Sequence, residues 1–128
     1  MAQLSQLEVL VVIPVYNHGT KLRGVVQKAL AEGWQVLVVD DGSTDNTWEI
    51  LLKLKSAPRR QIKRIKFLSN YGQQSAIIAG SKNATGDAQI TLDGDMQHPP
   101  ELLPDFIKAF ENGHELVCGQ RKKAKLSF

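Results

Sequence analysis

The chain has a single cysteine, Cys118. That excludes a disulfide framework and a cysteine metal site, and makes a reducing, cytoplasmic setting the default. Long apolar runs are also missing. Val9 to Val15 is too short to span a membrane and contains Pro14. It follows Glu8 rather than a basic segment, so it reads poorly as a signal peptide and well as a buried strand. No internal repeat or low-complexity linker interrupts the chain. Charge is nearly balanced, with a formal net charge of +3 and a pI of about 9.1. That excess is too weak to argue for a nucleic-acid partner. No Gly-x-Gly-x-x-Gly follows the first apolar run, so nicotinamide binding has poor support.

The 128 residues are 42% hydrophobic and 23% charged, which fits one soluble domain spanning residues 1–128. Val9–Ile13 and Val36–Val39 are continuous apolar runs, as expected of strands buried on both faces. Between them Leu22, Val25, Val26, Ala29 and Leu30 recur at helical spacing from Lys21 to Glu32, with Gly33 as a stop. Ser43, Thr44 and Asp45 offer caps for a second helix marked by Trp48, Leu51 and Leu52. Ala57-Pro58 breaks it. Ile65 and Phe67 anchor a third strand, and a third helix is expected between Tyr71 and Asn83. Ile90 and Leu92 belong to a fourth strand. Pro99-Pro100-Glu101 opens a fourth helix with Leu102, Leu103, Phe106, Ile107 and Phe110 on one face. Glu115 to Gly119 reads as a fifth strand. Strands alternating with helices imply an α/β fold, a three-layer α/β/α arrangement with a mostly parallel sheet.

Such sheets bind ligands beyond the carboxyl ends of their strands. Strand one ends at Pro14-Val15-Tyr16-Asn17, strand two at Asp40-Asp41-Gly42-Ser43 and strand four at Asp93-Gly94-Asp95. Residues i and i+2 of an extended chain face one side, so Asp93 and Asp95 can converge. Two like charges that close call for a counter-charge. A hard divalent cation, Mg²⁺ or Mn²⁺, takes oxygen ligands and shares them with phosphates. The alternative is a polar turn at a strand end. Lys53 to Lys66 and the terminal run Arg121-Lys122-Lys123-Ala124-Lys125 are basic. They read as solvated surface or as contacts for anionic head groups and substrate phosphates.

Three site types compete. A response-regulator-like receiver domain needs its acidic pair on the first strand, whereas here a strand-helix unit precedes Asp40-Asp41. A haloacid-dehalogenase-type phosphatase needs its Asp-x-Asp on the first strand, running on to Gly-Thr. The third is a nucleotide-sugar transferase. Ile13-Pro14-Val15-Tyr16-Asn17, Val38-Val39-Asp40-Asp41-Gly42-Ser43-Thr44-Asp45, Asn70-x-Gly72, Gly86-Asp87 and Leu92-Asp93-Gly94-Asp95-Met96-Gln97-His98-Pro99-Pro100-Glu101 occur in that order. This set resembles the family 2 glycosyltransferases of the A-type fold. The Asp-x-Asp-x-Gln-His-Pro-Pro-Glu form is most similar to the branch that loads sugars onto polyprenyl or dolichyl phosphate.

The resemblance implies a metal-dependent, inverting transfer from a UDP- or GDP-sugar, with polyprenyl phosphate as the acceptor, in cell-envelope glycan biosynthesis. Pro14, Tyr16 and Asn17 would line the base and ribose. Asp40 would contact one of them, with Asp41 and Gly42 close by. Asp93, Asp95 and Gln97 would hold the metal with the donor diphosphate alongside Gly94, with Asp93 acting directly, through water or on the ribose. Arg121 matches a position where an arginine meets phosphate. No separate general base stands out, which suits a lipid phosphate that is already ionised. Members of the branch often carry Glu after Tyr-Asn, where this chain has His18. They also continue well past this length, so the chain reads as a truncated, donor-binding N-terminal portion. It is then either an active transferase completed elsewhere, by a missing C-terminal segment or partner, or a non-catalytic nucleotide-sugar-binding fragment. The expected location is the cytoplasm, with peripheral contact at the inner face of the membrane.

Overall fold

The computed structural model describes residues 8–54, 62–83, 87–92 and 103–113. Eight elements alternate along them: β1 (Val9–Val15), α1 (Gly19–Ala31), β2 (Gln35–Asp40), α2 (Thr47–Lys53), β3 (Ile62–Lys66), α3 (Gln73–Lys82), β4 (Ala88–Thr91) and α4 (Leu103–Glu111). The strands pair in the order β3-β2-β1-β4, and each pairing is parallel. The Ala57-Pro58 break, the helix entry at Pro99–Glu101 and the strand expected at Glu115 to Gly119 lie outside the described residues.

The two apolar runs are continuous because each feeds two cores. Val11, Ile13, Val15, Val36 and Val38 face one side, where they meet α1 through Leu22, Val25, Val26, Ala29 and Leu30. Leu51 of α2 and Leu103 of α4 join that core, with Phe106 packed against it. The alternate residues Leu10, Val12, Leu37 and Val39 face the other side with Ala76 of α3, and Ile65 and Phe67 pack there. Helices therefore cover both faces, giving the three-layer α/β/α arrangement. Gly80 lets α3 approach closely: a Cβ there would sit 2.5 Å from Val12 Cγ1.

Pro14 lies inside β1, fully within the buried run, although β1 has neighbours on both sides. Proline lacks a backbone N–H and is usually excluded from such a position. The register explains why it is tolerated. Leu92 N–H donates to Val12 O at 2.9 Å. In a parallel ladder the next bond would run from the residue-14 N–H to Leu92 O. Pro14 cannot make it, so the β1–β4 ladder ends there. On the other side β1 continues, with Val15 O accepting from Asp41 N–H at 2.8 Å.

Strand order also locates the ligand end. The chain moves outward from β1 to β2 to β3, then returns through α3 to place β4 on the opposite side of β1. Sheets of this kind bind ligands where the order reverses, which here is the gap between β1 and β4 at their carboxyl ends.

Candidate functional site

The carboxyl rim is built from the loops after β1, β2 and β3, stitched together by hydrogen bonds. Tyr16, just past β1, is exposed, and Asn17 is partly buried. Asn17 has φ of 57°, a left-handed backbone that asparagine tolerates better than most residues. Its side-chain Oδ1 accepts the Thr44 N–H at 2.9 Å and the Asp45 N–H at 3.3 Å, and its Nδ2 donates to Thr44 Oγ1 at 3.4 Å. Its own backbone N–H donates to Ser43 Oγ at 2.9 Å. Asn17 thus ties the end of β1 to the loop after β2.

Asp40 and Asp41 are both buried at the end of β2, at 0% and 3% exposure. Their side chains differ in use. Asp41 Oδ1 accepts the Tyr71 N–H at 2.8 Å and Asp41 Oδ2 the Gly72 N–H at 3.0 Å. Both its oxygens are therefore engaged by the loop before α3. Asp40 Oδ1 accepts from Ser43 twice, from the N–H at 3.0 Å and from the hydroxyl at 2.6 Å. Asp40 Oδ2 is buried and has no hydrogen-bond partner among the described residues. A buried acceptor left unpaired costs about 1–3 kcal/mol, and more when it is charged. Such an exception calls for an explanation, and a ligand donor is one.

Gly42 has φ of 73°, and a Cβ there would lie 2.3 Å from Ser69 C and 2.5 Å from Asn70 N. Only glycine lets the β2 loop turn and lie against the β3 loop at once. Asp45 lies beyond this contact, one residue before Asn46, which takes the N-cap position of α2 without a side-chain cap bond. Asp45 Oδ1 accepts both the Thr47 N–H at 2.9 Å and the Thr47 hydroxyl at 2.5 Å, at the start of α2. Those bonds from Thr47, the hydroxyl's first, hold the Asp45 carboxyl below its ordinary pKa, helped by nearby His18.

The structure thus brings Tyr16, Asn17, Asp40, Asp41 and Gly42 to one rim, with Pro14 inside β1 beneath it. Asp93, Gly94, Asp95, Gln97 and Arg121 lie outside the described residues. Leu92, the residue before Asp93 in sequence, donates its N–H to Val12 O at 2.9 Å. Among the described residues no three His, Cys, Asp or Glu side chains converge on a metal position. The side chains of Asp93, Asp95 and Gln97 each carry oxygen atoms, the donor type that a hard cation takes. Sequence reasoning assigned no role to Ser43 beyond capping, nor to Tyr71 and Gly72, whose backbone N–H groups hold Asp41. Asn70-x-Gly72 was the only signal for the latter.

With this geometry established, comparison with known proteins is decisive. The family model for glycosyl transferase family 2 matches residues 10–128. The chain belongs to the family 2 glycosyltransferases. It is 41% identical over 113 residues to an undecaprenyl-phosphate 4-deoxy-4-formamido-L-arabinose transferase of Pectobacterium carotovorum, covering 84% of this chain and 35% of that protein. The transferase of the same name from Photorhabdus laumondii is 40% identical over 120 residues, covering 89% and 37%. The chain therefore spans about a third of the length of these curated relatives. The crystal structure of S. aureus TarS 1–349 superposes with a TM-score of 0.62 and 28% identity, covering 84% of this chain and 33% of that one. Glucosyl-3-phosphoglycerate synthase from Mycobacterium tuberculosis, solved with phosphoglyceric acid, gives a TM-score of 0.67 at 19% identity over 88% of this chain and 42% of that one, a likeness of fold alone. Family membership sets aside the receiver and phosphatase readings.

Proposed function

We propose that this chain forms the donor-binding part of an inverting glycosyltransferase that moves a sugar from a UDP- or GDP-sugar to polyprenyl phosphate. The observation that carries the donor assignment is the Oδ2 of Asp40, buried and unpartnered among the described residues, at the carboxyl rim where sheets of this kind bind ligands. The acceptor assignment rests on relatives whose names specify undecaprenyl phosphate.

In this reading the nucleotide lies across the β1 and β2 ends. Asp40 accepts a donor from the base or ribose, and Tyr16 and Asn17 border the same space. Asp41 and Gly42 shape the rim by fixing the loops after β2 and β3. Asp93, Asp95 and Gln97 would hold Mg²⁺ or Mn²⁺, which when bound neutralises charge on the leaving diphosphate. Arg121 would add a further positive contact to phosphate. The acceptor's phosphate oxygen attacks the anomeric carbon from the side opposite the nucleotide. A new carbon–oxygen bond forms as the bond to the nucleoside diphosphate breaks, and the configuration inverts. The acceptor oxygen is already ionised at neutral pH, so no protein base has to remove a proton.

No helix among the described residues is long and apolar enough to cross a membrane. Peripheral contact with a lipid acceptor at the cytoplasmic face is part of the proposal. Titration of UDP- and GDP-sugars with and without Mn²⁺ tests the donor site. Metal-enhanced binding that weakens in Asp95→Ala and in Asp40→Asn is expected, and unchanged binding in both variants would sink the assignment. A transfer assay with polyprenyl phosphate then separates the catalytic reading from that of a binding fragment.

A further inference from the structure

We propose that the β3 edge of the sheet, with the exposed side chains of α2 and of the β3–α3 loop beside it, is a docking surface for an anionic lipid bilayer. The surface deepens the lipid-acceptor reading above, and rests on it only for the choice of a bilayer as the polyanion.

Charge is segregated along this chain. Residues 50–86 hold eight of its sixteen Lys and Arg and none of its thirteen Asp and Glu. The other positions hold eight Lys and Arg against all thirteen acids, so the small net charge of +3 hides one basic region in an otherwise acidic chain. That region contains β3, which has β2 as its only neighbour among the described strands. Lys63 and Lys66 on β3 and Lys53 at the end of α2 are exposed. Glu49, the last acid before the region, lies one turn earlier on α2.

Cations on an edge strand serve by themselves to block pairing with another chain. Two further observations go beyond that use. Apolar side chains stand exposed among the cations: Leu68, two residues past β3, is 93% exposed, and Leu52 and Tyr71 are more than half exposed. A bilayer interface takes apolar and cationic side chains together. Leu52 and Leu68 would add nothing on nucleic acid, which is bound through cations and stacking rings. Leu52 is one helical turn from Trp48, and Lys66 Nζ lies 5.4 Å from the Trp48 ring centroid, so this ridge of α2 and the β3 cation share a side.

The second observation is that the loop bearing Leu68 and Tyr71 is fixed. Phe67 N–H donates to Asp40 O at 2.8 Å, and Asp41 takes the Tyr71 and Gly72 N–H groups. The Tyr71 ring meets that of Phe67 edge-on, with centroids 5.7 Å apart. The loop therefore presents its apolar side chains in a set position. It lies at the carboxyl end of β3, on the same rim as the end of β1, which is two strand spacings away, about 10 Å. Docking along the β3 edge holds that rim within reach of a phosphate at the level of the lipid head groups.

The test is flotation of the 128-residue chain with vesicles of phosphatidylcholine alone and of phosphatidylcholine mixed equally with phosphatidylglycerol. Binding to the mixed vesicles only is expected, weakening as salt is raised; no binding to them overturns the docking surface. Each cation near such a surface is worth about fivefold in partitioning, so Lys63→Ala combined with Lys66→Ala should lose on the order of twentyfold. Lys21→Ala combined with Lys108→Ala, at exposed positions on α1 and α4, makes the same change in net charge. That pair should stay within about twofold of the wild type. Equal losses in the two pairs would mean attraction by net charge alone, and overturn the surface. Leu68→Ser should lose about fivefold; an unchanged value overturns the bilayer assignment. So does tighter binding of a DNA duplex that depends on the same two lysines. If the Lys63 and Lys66 pair does not fold, Lys63→Ala alone carries the comparison, with about a fivefold loss expected against Lys21→Ala alone. Failure of the lipid-acceptor reading looks different: mixed vesicles bind, with the same dependence on Lys63 and Lys66, while polyprenyl phosphate receives no sugar.

Discussion

Asp40, Asp41 and Asp45 bear the same carboxylate, and the donors around each one set its use. Asp41 accepts one backbone N–H on each oxygen, Asp40 accepts both of its bonds from Ser43 on one oxygen, and Asp45 holds the start of α2 from an exposed position. Sequence placed all three at the end of β2 but could not divide these roles. The partners of Asp41 lie 30 and 31 positions away, and nothing local announces them. A role for Asp45 at the start of α2 was legible, because it is a short-range matter, although the N-cap position itself falls to Asn46. Its pKa is lowered in the folded chain, chiefly by the Thr47 hydroxyl. The stability it contributes is therefore present above the unfolded carboxylate range and is lost as pH falls through the lower, folded value. Asp45→Ala should cost about 0.5–1 kcal/mol at neutral pH, the usual size for a lost side-chain bond at a helix start. Melting curves should show the wild type and the variant converging as pH falls below the ordinary carboxylate range; an undiminished gap there would assign the loss to packing instead. Gly42→Ala should be worse, since the new Cβ meets Ser69 backbone at 2.3 Å in a positive-φ position. A loss of more than about 2 kcal/mol is expected by urea titration, and a neutral result would contradict the close approach of the two loops.

At the level of elements, periodicity found each strand and helix among the described residues, and the misses lie at their ends. The helix expected from Lys21 starts at Gly19, and the strand expected around Ile65 and Phe67 ends at Lys66. Ends depend on tertiary partners, which a local pattern does not contain. The basic stretch from Lys53 to Lys66 shows the same limit. Read as solvated surface or an anion contact, it includes a residue with an internal use. Arg64 Nε donates to Leu51 O at 3.2 Å and its Nη2 to Leu54 O at 2.9 Å. These carbonyls belong to the end of α2, so β3 supplies the C-terminal cap of the preceding helix. Lys66 Nζ lies 5.4 Å from the Trp48 ring centroid, a second tie between β3 and α2. Arg64→Ala should destabilise the chain by about 1–3 kcal/mol, because buried carbonyls lose charged donors. Amide exchange should quicken in α2 more than in α1. Uniform quickening would mean that Arg64 supports the sheet rather than the helix end.

For the whole molecule, one sheet order links the rim to the fold. Asp40, with an oxygen unpartnered among the described residues, ends the strand on one side of β1, and β4, which the acidic segment follows in sequence, lies on the other side. A ligand spanning both would bind strands from the two halves of the sheet and should stabilise the chain as a unit. The alternation of elements made this architecture legible, whereas the free Asp40 oxygen appears only once the loops are packed. A nucleotide at about a hundred times its Kd adds about 2.7 kcal/mol to folding. For a domain of this size that corresponds to a rise in Tm on the order of 10 °C. UDP or GDP alone should deliver part of that rise through Asp40, and adding Mn²⁺ should deliver more. In Asp95→Ala the metal-dependent increment should vanish while the nucleotide-only increment remains; in Asp40→Asn the nucleotide-only increment should fall. Differential scanning calorimetry of the three proteins separates the two contributions. If both variants lost both increments equally, the base end and the metal end would not be separable parts of one site, and the division of roles between β2 and the segment after β4 would fail.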